Sequence, residues 1–306
     1  MNKAFIFPGQ ASQYVGMAKD LYEKFDLAKE YFETANKIME LDLADICFNG
    51  PEDQLKQTFI TQPAIFVHSV IVARLLENKN VKPVAVAGHS LGEYSALVAA
   101  GVLTFENGLK LVKERSRLMH EAGQKNPGTM GALIGLDPVS VNEVCELASE
   151  FGVVQAANFN SPGQIAISGS ITAVTKALEI AKEKGAKRAV ELVVSGAFHS
   201  PLMKDAQQGL SAALKITEMS DSKIPFYSNV TAEAVQNASE IRELLLKQLT
   251  NPVKWQDIIL RMINDKHSNF LEVGPGKVLK GLVKRIDKEA QCDACGNVDE
   301  LDMIEG

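Results

Sequence analysis

The chain has 306 residues, of which 46% are hydrophobic and 23% charged, so it can bury one large core with or without a smaller appended domain. Its 38 acidic and 32 basic side chains give a net charge of -6, which argues against nucleic-acid binding because phosphate backbones bind to basic surfaces. The apolar run at the start is too short for a signal peptide, and no run of membrane-spanning length is evident. We therefore expect a cytoplasmic protein that binds neither nucleic acid nor membrane.

The first predicted element is a buried strand over residues 3–7, which ends at the polar, glycine-containing loop of residues 8–13. A loop at the carboxyl end of a strand is where α/β folds place ligand sites. Apolar periodicity then predicts helical segments over 17–25, 27–39, 43–48, 52–57 and 62–77.

The next strand, Val84–Ala87, runs into the pentapeptide Gly88-His89-Ser90-Leu91-Gly92 and then a helix-forming segment. This order is typical of a nucleophile elbow, in which the glycines allow a sharp turn that exposes the serine hydroxyl. Ser90 is therefore the candidate nucleophile. Because it stands at a helix N-terminus, the Leu91 amide can face an oxyanion. The pattern favours acyl transfer over a glycine-rich turn without chemistry.

Residues 105–122 form a strongly periodic helical segment whose charged side chains gather opposite its apolar face. Arg115 alone falls among the apolar positions, between Val112 and Leu118. A buried guanidinium is costly unless it meets an anion or several acceptors. We expect a structural carboxylate or a negatively charged ligand beside Arg115, in preference to a snorkelling side chain.

After residues 126–128 the pattern changes to strand, helix, strand, strand, helix, strand, over 129–135, 137–150, 153–157, 164–168, 172–184 and 187–194. This is the order of a ferredoxin-like unit. We predict a ferredoxin-like subdomain over residues 125–196. Residues 1–124 and 197–306 then form a large α/β-hydrolase-like domain with a parallel sheet.

The chain re-enters the large domain at Ser195–Pro201, where His199 follows a glycine-containing turn. A serine hydroxyl needs a base within hydrogen-bond reach, and His199 is the best placed of the five histidines. Further elements are a helix to about residue 216, a strand over 224–230, helices over 240–249 and 253–263, a strand over 269–273 and a helix over 278–286.

Four cysteines are too few and too scattered for a disulfide framework. Cys47 and Cys145 lie in apolar helical patterns and are predicted to be core residues. Cys292 and Cys295 form a lone C-x-x-C in an acidic segment that lacks a second ligand pair. A solvated tail is favoured there over a half zinc site or a redox pair, and we expect no metal and no cofactor.

Six blocks of sequence occur in one order along almost the whole chain. They are FPGQASQ at 7–13, GHSLGEY at 88–94, VKER at 112–115, NFNSPGQ at 158–164, GAFHS at 196–200 and EVGPG at 272–276. Together they resemble the acyltransferase family of fatty acid and polyketide synthesis, and within it the malonyl-CoA:acyl carrier protein transacylases.

The resemblance implies a ping-pong reaction in which Ser90 takes malonyl from malonyl-CoA as an ester and passes it to the phosphopantetheine thiol of acyl carrier protein. It assigns His199 as general base and acid. It also implies that the backbone N–H groups of Gln10 and Leu91 form an oxyanion hole. Arg115 would pair with the free carboxylate of the malonyl group, which suits guanidinium geometry.

No acidic residue is evident that could orient His199 as in a serine hydrolase. The resemblance implies instead that a carbonyl near Gln248 orients the imidazole. It also implies that Asn160 lines the site, although an asparagine before Ser161-Pro162-Gly163 is equally typical of a turn.

Three other functions remain open from the residues alone. A serine thioesterase or carboxylesterase could use the same elbow but needs no inward arginine. A free-standing acyltransferase of a polyketide pathway would share the chemistry and differ in its carrier. An inactive carrier-binding module is disfavoured because Ser90, His199 and Arg115 are all retained.

Overall fold

The computed structural model describes residues 3–305, whose strands form two separate sheets. The elements before residue 126 are β1 (Lys3–Phe7), α1 (Lys19–Lys24), α2 (Asp26–Met39), α3 (Leu43–Asn49), α4 (Glu52–Leu55), α5 (Thr58–Asn78), β2 (Pro83–Gly88), α6 (Gly92–Ala99) and α7 (Phe105–Lys125). The next group is β3 (Gly128–Ile134), α8 (Pro138–Ala148), β4 (Val154–Ser161), β5 (Gln164–Ser170), α9 (Ile171–Glu183) and β6 (Arg188–Leu192). The last group is α10 (Lys204–Ile216), β7 (Phe226–Tyr227), β8 (Ala234–Val235), α11 (Ala238–Gln248), α12 (Trp255–Asn264), β9 (Asn269–Val273), α13 (Val278–Ile286), β10 (Gln291–Cys295) and α14 (Val298–Asp302).

The larger sheet has the strand order β10-β9-β1-β2-β7-β8. Its neighbouring strands run parallel except for β7 and β8, which are antiparallel. Apolar clusters cover both faces, so successive residues of β1 pack into different clusters and the strand is buried almost throughout. The predicted α/β class is confirmed, with a mixed and mainly parallel sheet.

The smaller sheet has the order β4-β5-β3-β6, and all its pairs are antiparallel. Helices α8 and α9 contribute to an apolar cluster of its own, which includes Leu133, Val144 and Val174. A backbone hydrogen bond of 2.9 Å from Phe159 N–H to the Val253 carbonyl ties this sheet to the larger unit. This bond holds β4, an edge strand of the smaller sheet, against the segment that precedes α12.

Helix α5 corrects the expectation that no run reaches membrane-spanning length. By length and composition alone, its 21 residues could cross a membrane. Most of them are buried inside the protein, against α7 and α6. A helix that is apolar on all sides is expected to lie in the core of a protein. Even the polar side chains of Gln62 and His68 on this helix are buried.

The predicted solvated tail around Cys292 and Cys295 is wrong. Residues 291–295 form β10, which pairs in parallel with β9 along its whole length. Cys295 belongs to one core cluster and Cys292 packs against the other, so the two thiols lie on opposite faces of the sheet. The composition of residues 291–295 hides this pairing, because a strand at the edge of a sheet can keep polar and acidic side chains facing solvent.

The predicted strand over 224–230 is much shorter than expected. Only Phe226 and Tyr227 pair with β2, after which a tight turn includes a hydrogen bond from Ala232 N–H to the Ser228 carbonyl. The chain leaves the sheet near Asn229, whose backbone N–H donates to the Glu93 carboxyl group. The side chain of Asn229 bonds to Ser90 N–H and to the Gly88 carbonyl.

The carboxyl ends of β1 and β2 place two loops side by side. His89 N–H donates to the Phe7 carbonyl at 2.9 Å, at the start of both loops. Gly92 makes this approach possible, since a Cβ there would overlap the Phe7 carbonyl oxygen. The edge where parallel strands end is the position at which such folds bind ligands.

We expect Gly92→Ala to lower the free energy of unfolding by about 3 kcal/mol or more, because backbone would have to move in a packed region. Gly281→Ala is the matched control: Gly281 lies in α13 and a Cβ there meets nothing within 4 Å. That variant should gain about 0.5–1 kcal/mol from helix propensity. Urea titration measures both, and a Gly92→Ala protein as stable as Gly281→Ala would contradict the packing described.

Candidate active site

Ser90 occupies a tight turn between β2 and α6. Its φ is +53°, in the left-handed region that non-glycine residues seldom adopt. The side chain of Asn229 holds both arms of the turn: Oδ1 accepts from Ser90 N–H at 2.7 Å, and Nδ2 donates to the Gly88 carbonyl at 2.7 Å. These contacts stabilise a strained backbone whose geometry presents the Ser90 hydroxyl to the cleft.

His199 lies beside this hydroxyl. Its Nε2 is 2.8 Å from Ser90 Oγ, and its Nδ1 is 2.8 Å from the backbone carbonyl of Gln248. Because a carbonyl only accepts, Nδ1 carries the proton and Nε2 has the free lone pair. The imidazole is thus oriented to accept the serine proton.

The electrostatic surroundings keep this imidazole neutral. Burial, followed by the positive charge of Arg115, lowers the pKa of His199 to about 3. Its hydrogen bond to the Gln248 carbonyl acts in the opposite direction but is the weaker influence. A neutral imidazole at physiological pH is the form that acts as a general base.

Arg115 is fully buried, as the helical periodicity predicts. Its Nη1 donates to Gln62 Oε1 at 2.6 Å, and its Nη2 donates to Gln248 Oε1 at 2.8 Å and to Ser90 Oγ at 3.1 Å. Its Cζ lies 5.6 Å from the centre of the Tyr94 ring. Burial lowers the pKa of Arg115, since it disfavours the charged form.

Every hydrogen-bond partner of this guanidinium within residues 3–305 is electrically neutral. No carboxylate oxygen of that part of the chain lies within 4.0 Å of it, and its Nε has no partner there. No structural carboxylate contacts the guanidinium, although the buried Glu93 carboxyl acts on its charge across the Gln248 amide, which bonds both groups. The arrangement leaves a buried cation facing the cleft, where an anionic ligand group can pair with it.

Two backbone amides near Ser90 are free to bind an oxyanion. Within the described residues, the N–H groups of Gln10 and Leu91 donate to no protein acceptor. Gln10 belongs to the loop after β1, and Leu91 stands at the N-terminus of α6, where the helix dipole favours negative charge. Both residues line the same cleft as Ser90, so their placement suits the role that the sequence resemblance implies.

The cleft itself has a volume of about 730 Å³ and lies between the larger unit and the smaller sheet. Its walls include apolar side chains from both, among them Met119, Met130 and Leu192. A cleft of this size, with apolar walls and a few polar groups, is typical of a small-molecule site. In the part of the chain that the structure describes, no cluster of three or more His, Cys, Asp or Glu could hold a metal ion.

Asn160 lies next to His89, which is one of the residues that line the cleft. Asn160 Oδ1 is 2.8 Å from His89 Nε2, and the role of Asn160 at the site stays a prediction. Asn158, on the same strand, lines the cleft directly. Strand β4 extends to Ser161, so Asn160 is not the loop residue that the following Pro-Gly suggested.

Three site residues were missed by sequence reasoning: Gln62, Glu93 and Asn229. Gln62 and Glu93 carried a signal, since each is a polar side chain within an apolar helical run. Asn229 carried none, because it lies in a loop whose position depends on the packing of distant elements.

Comparison with known proteins places these features in a family. The model of the acyl transferase domain matches residues 4–299. The chain belongs to the acyl transferase family. One relative, the malonyl CoA-acyl carrier protein transacylase of Bacillus subtilis, is 41% identical over 301 residues, covering 98% of this chain and 95% of that protein.

Solved structures of acyl transferases agree with the fold. An acyl carrier protein S-malonyltransferase from Vibrio cholerae superposes with a TM-score of 0.95 at 41% identity, over 99% of both chains. A malonyl-transacylase solved in complex with a type II polyketide synthase acyl-carrier protein gives a TM-score of 0.94 at 40% identity, over 98% of both chains.

We expect the ring signals of His199 to remain unchanged between about pH 8 and about pH 5, because its lowered pKa keeps the imidazole neutral throughout that range. NMR titration of the imidazole carbons measures this. In urea-unfolded protein the same ring should titrate near 6.5, which serves as the control. A midpoint at or above 6 in the folded protein would contradict the electrostatic environment described.

Proposed function

We propose that this acyl transferase moves a malonyl group from malonyl-CoA to the phosphopantetheine thiol of an acyl carrier protein, through an ester on Ser90. The observation that carries the proposal is the Arg115 guanidinium, buried among neutral partners 3.1 Å from the Ser90 hydroxyl. The relatives described above are named for this same transfer. In the cytoplasm, the reaction would supply malonyl units for fatty acid synthesis.

The first half-reaction forms the ester. His199 Nε2 accepts the Ser90 proton across 2.8 Å while Oγ attacks the thioester carbonyl of malonyl-CoA. Negative charge on the carbonyl oxygen is stabilised by the amides of Gln10 and Leu91. When the intermediate collapses, the C–S bond breaks and His199 returns the proton to the sulfur of coenzyme A.

Arg115 recognises the acyl group by its charge. The free carboxylate of a malonyl group lies one methylene beyond the reacting carbonyl, and the Arg115 guanidinium lies beside the reacting oxygen. Moving a carboxylate from water into this buried site is costly unless a cation pairs with it. Two guanidinium nitrogens can bind its two oxygens in parallel, while Gln62 and Gln248 hold the arginine in place.

The second half-reaction repeats these steps with the carrier thiol as nucleophile. His199 takes the thiol proton, the sulfur attacks the Ser90 ester and the serine leaves with a proton from His199. The partner of His199 is a neutral carbonyl, which stabilises an imidazolium less than a carboxylate does. That suits exchange between two similar thioesters, in which the barrier in each direction is comparable.

One alternative keeps the chemistry and changes the carrier. A relative of this chain was solved with a carrier protein of a type II polyketide synthase, and that observation favours a polyketide carrier as the second candidate. A serine thioesterase is less well supported, since hydrolysis of an uncharged acyl group needs no buried arginine beside the nucleophile.

We also propose the finer features of the fold. The positive φ of Ser90 between a parallel strand and a helix supports a nucleophile elbow of the α/β-hydrolase type. The strand order β4-β5-β3-β6 and the separate apolar cluster support a ferredoxin-like subdomain over residues 125–196. Residues 1–124 and 197–306 would then be the large domain into which it is inserted.

We expect brief mixing of the protein with malonyl-CoA to add one malonyl mass at Ser90, and later addition of carrier protein bearing phosphopantetheine to remove it. Ser90→Ala should form no adduct and remain folded, because one hydroxyl at a turn contributes little to packing. Intact-protein and peptide mass spectrometry measure the adduct.

The control is Ser95→Ala, which removes a buried hydroxyl of α6 that has no partner in the described structure. That variant should form the adduct as the wild type does. A stable malonyl adduct on Ser90→Ala would place the nucleophile elsewhere. Release of malonate to water faster than transfer to the carrier thiol would support the thioesterase instead.

A further inference from the structure

Glu93 is a carboxyl side chain buried directly behind the Ser90 turn. It is 1% exposed and lies in the first turn of α6. Its Oε1 accepts from the backbone N–H of Asn229 at 2.5 Å, and its Oε2 accepts from Gln248 Nε2 at 2.6 Å. The reaction described above gives this residue no role, yet both of its partners contact groups that take part in it.

The first partner, Gln248, connects three groups of the site. Its Oε1 accepts from Arg115 Nη2, and its backbone carbonyl accepts from His199 Nδ1. Its Nε2 donates to the Ser90 carbonyl at 2.8 Å as well as to Glu93. A displacement of Gln248 would therefore alter both the arginine and the general base.

Glu93 Oε2 and the Ser90 carbonyl together set the orientation of the Gln248 amide, and Glu93 is the closer of the two acceptors. A glutamine amide can present its oxygen and nitrogen in either of two directions, and only one of them gives Arg115 an acceptor. An acceptor at the position of Glu93 Oε2 selects that direction, because the amide nitrogen must then point away from the guanidinium. The reverse orientation would place an NH₂ group against Arg115.

The second partner, Asn229, shapes the nucleophile turn. Glu93 fixes the backbone of Asn229, whose side chain bridges Ser90 N–H and the Gly88 carbonyl. One carboxyl group thus supports both the residue that orients Arg115 and the residue that holds the strained serine.

We propose that Glu93 is a positioning residue of the transfer reaction, which sets the acceptor of Arg115 through Gln248 and the conformation of the Ser90 turn through Asn229. The proposal rests on the proposed function, since the group that Glu93 positions is the one that would bind the malonyl carboxylate.

This role does not depend on the charge of Glu93. Burial raises its pKa to about 8, while its two N–H partners and Arg115 act in the opposite direction. A protonated carboxyl group still has lone pairs that accept from N–H donors, so both contacts exist in either state. An NH₂ group has no such acceptor, and this difference makes glutamine the informative substitution.

In Glu93→Gln, one of the two donors faces an NH₂ group: either Asn229 N–H loses its acceptor, or Gln248 Nε2 keeps only the Ser90 carbonyl. We expect kcat/KM for malonyl-CoA to fall on the order of 100-fold, the effect of misplacing a catalytic group by about 1 Å. For acetyl-CoA, which has no carboxylate for Arg115 to bind, the fall should be about 10-fold, so that the preference for malonyl narrows about 10-fold. Steady-state kinetics with both thioesters, referred to the folded fraction measured by circular dichroism, gives this ratio.

Two further variants separate positioning from general damage. Glu121→Gln changes an exposed carboxylate that pairs with Arg117 on α7, and it should leave both rates unchanged. If Glu93 acts largely through Gln248, the double variant Glu93→Gln, Gln248→Ala should lose much less than the product of the two single losses. Should Glu93→Gln not fold, the ratio is measured in Glu93→Asp, which keeps two acceptors but withdraws them by one methylene, and the same narrowing is expected.

Equal proportional losses for the two thioesters, a wider malonyl preference or fully multiplicative losses in the double variant would overturn the proposal. A wider preference would mean that Glu93 only weakens the field of Arg115. The wild-type protein distinguishes this failure from failure of the proposed function. If the wild type forms no malonyl ester, the function itself is wrong, whereas a wild type that forms the ester with a ratio unaltered in Glu93→Gln rejects the positioning role alone.

Discussion

The burial of Arg115 without a carboxylate in contact is the interaction on which the rest of the site depends. A guanidinium in the interior is tolerated only when hydrogen bonds satisfy it and an anion can approach it. Here two glutamine oxygens and the Ser90 hydroxyl supply the hydrogen bonds, and the open cleft leaves room for the anion. In the function we propose, this gives specificity for a charged acyl group, because the substrate's carboxylate supplies the anion that pairs with Arg115.

The same glutamine contacts both the arginine and the histidine of the site. Gln248 accepts from Arg115 with its side chain and from His199 with its backbone carbonyl, so the two roles that we propose, recognition of the acyl group and activation of the serine, depend on one residue. The Gln248 carbonyl is neutral, so it holds the His199 imidazole in one tautomer without strongly stabilising the protonated ring. A base of this kind suits the reversible transfer of an acyl group between two thiols.

Much of this site could be predicted from sequence wherever the determinant is local. Ser90 follows from a pentapeptide between a strand and a helix, and Arg115 from its position in a helical period. The contacts of Glu93 could not be predicted, since they join residues 136 and 155 positions apart that only the folded chain brings together. The order of strands and helices along the smaller unit is the one that the sequence predicts. Strand β10 is not predictable in this way, because an edge strand is defined by its pairing with β9 and not by its composition.

The most direct measurement is kcat/KM for malonyl-CoA and acetyl-CoA in the wild type and in Arg115→Ala. Arg117→Ala is the control, because Arg117 lies two residues further along the same helix, is exposed and pairs with the side chains of Glu114 and Glu121. We expect a loss of about 100-fold or more for malonyl-CoA, as when a buried charge pair of about 3–5 kcal/mol is broken, with a much smaller loss for acetyl-CoA. Equal proportional losses for both thioesters would contradict the pairing of Arg115 with the malonyl carboxylate and leave Arg115 as part of the scaffold.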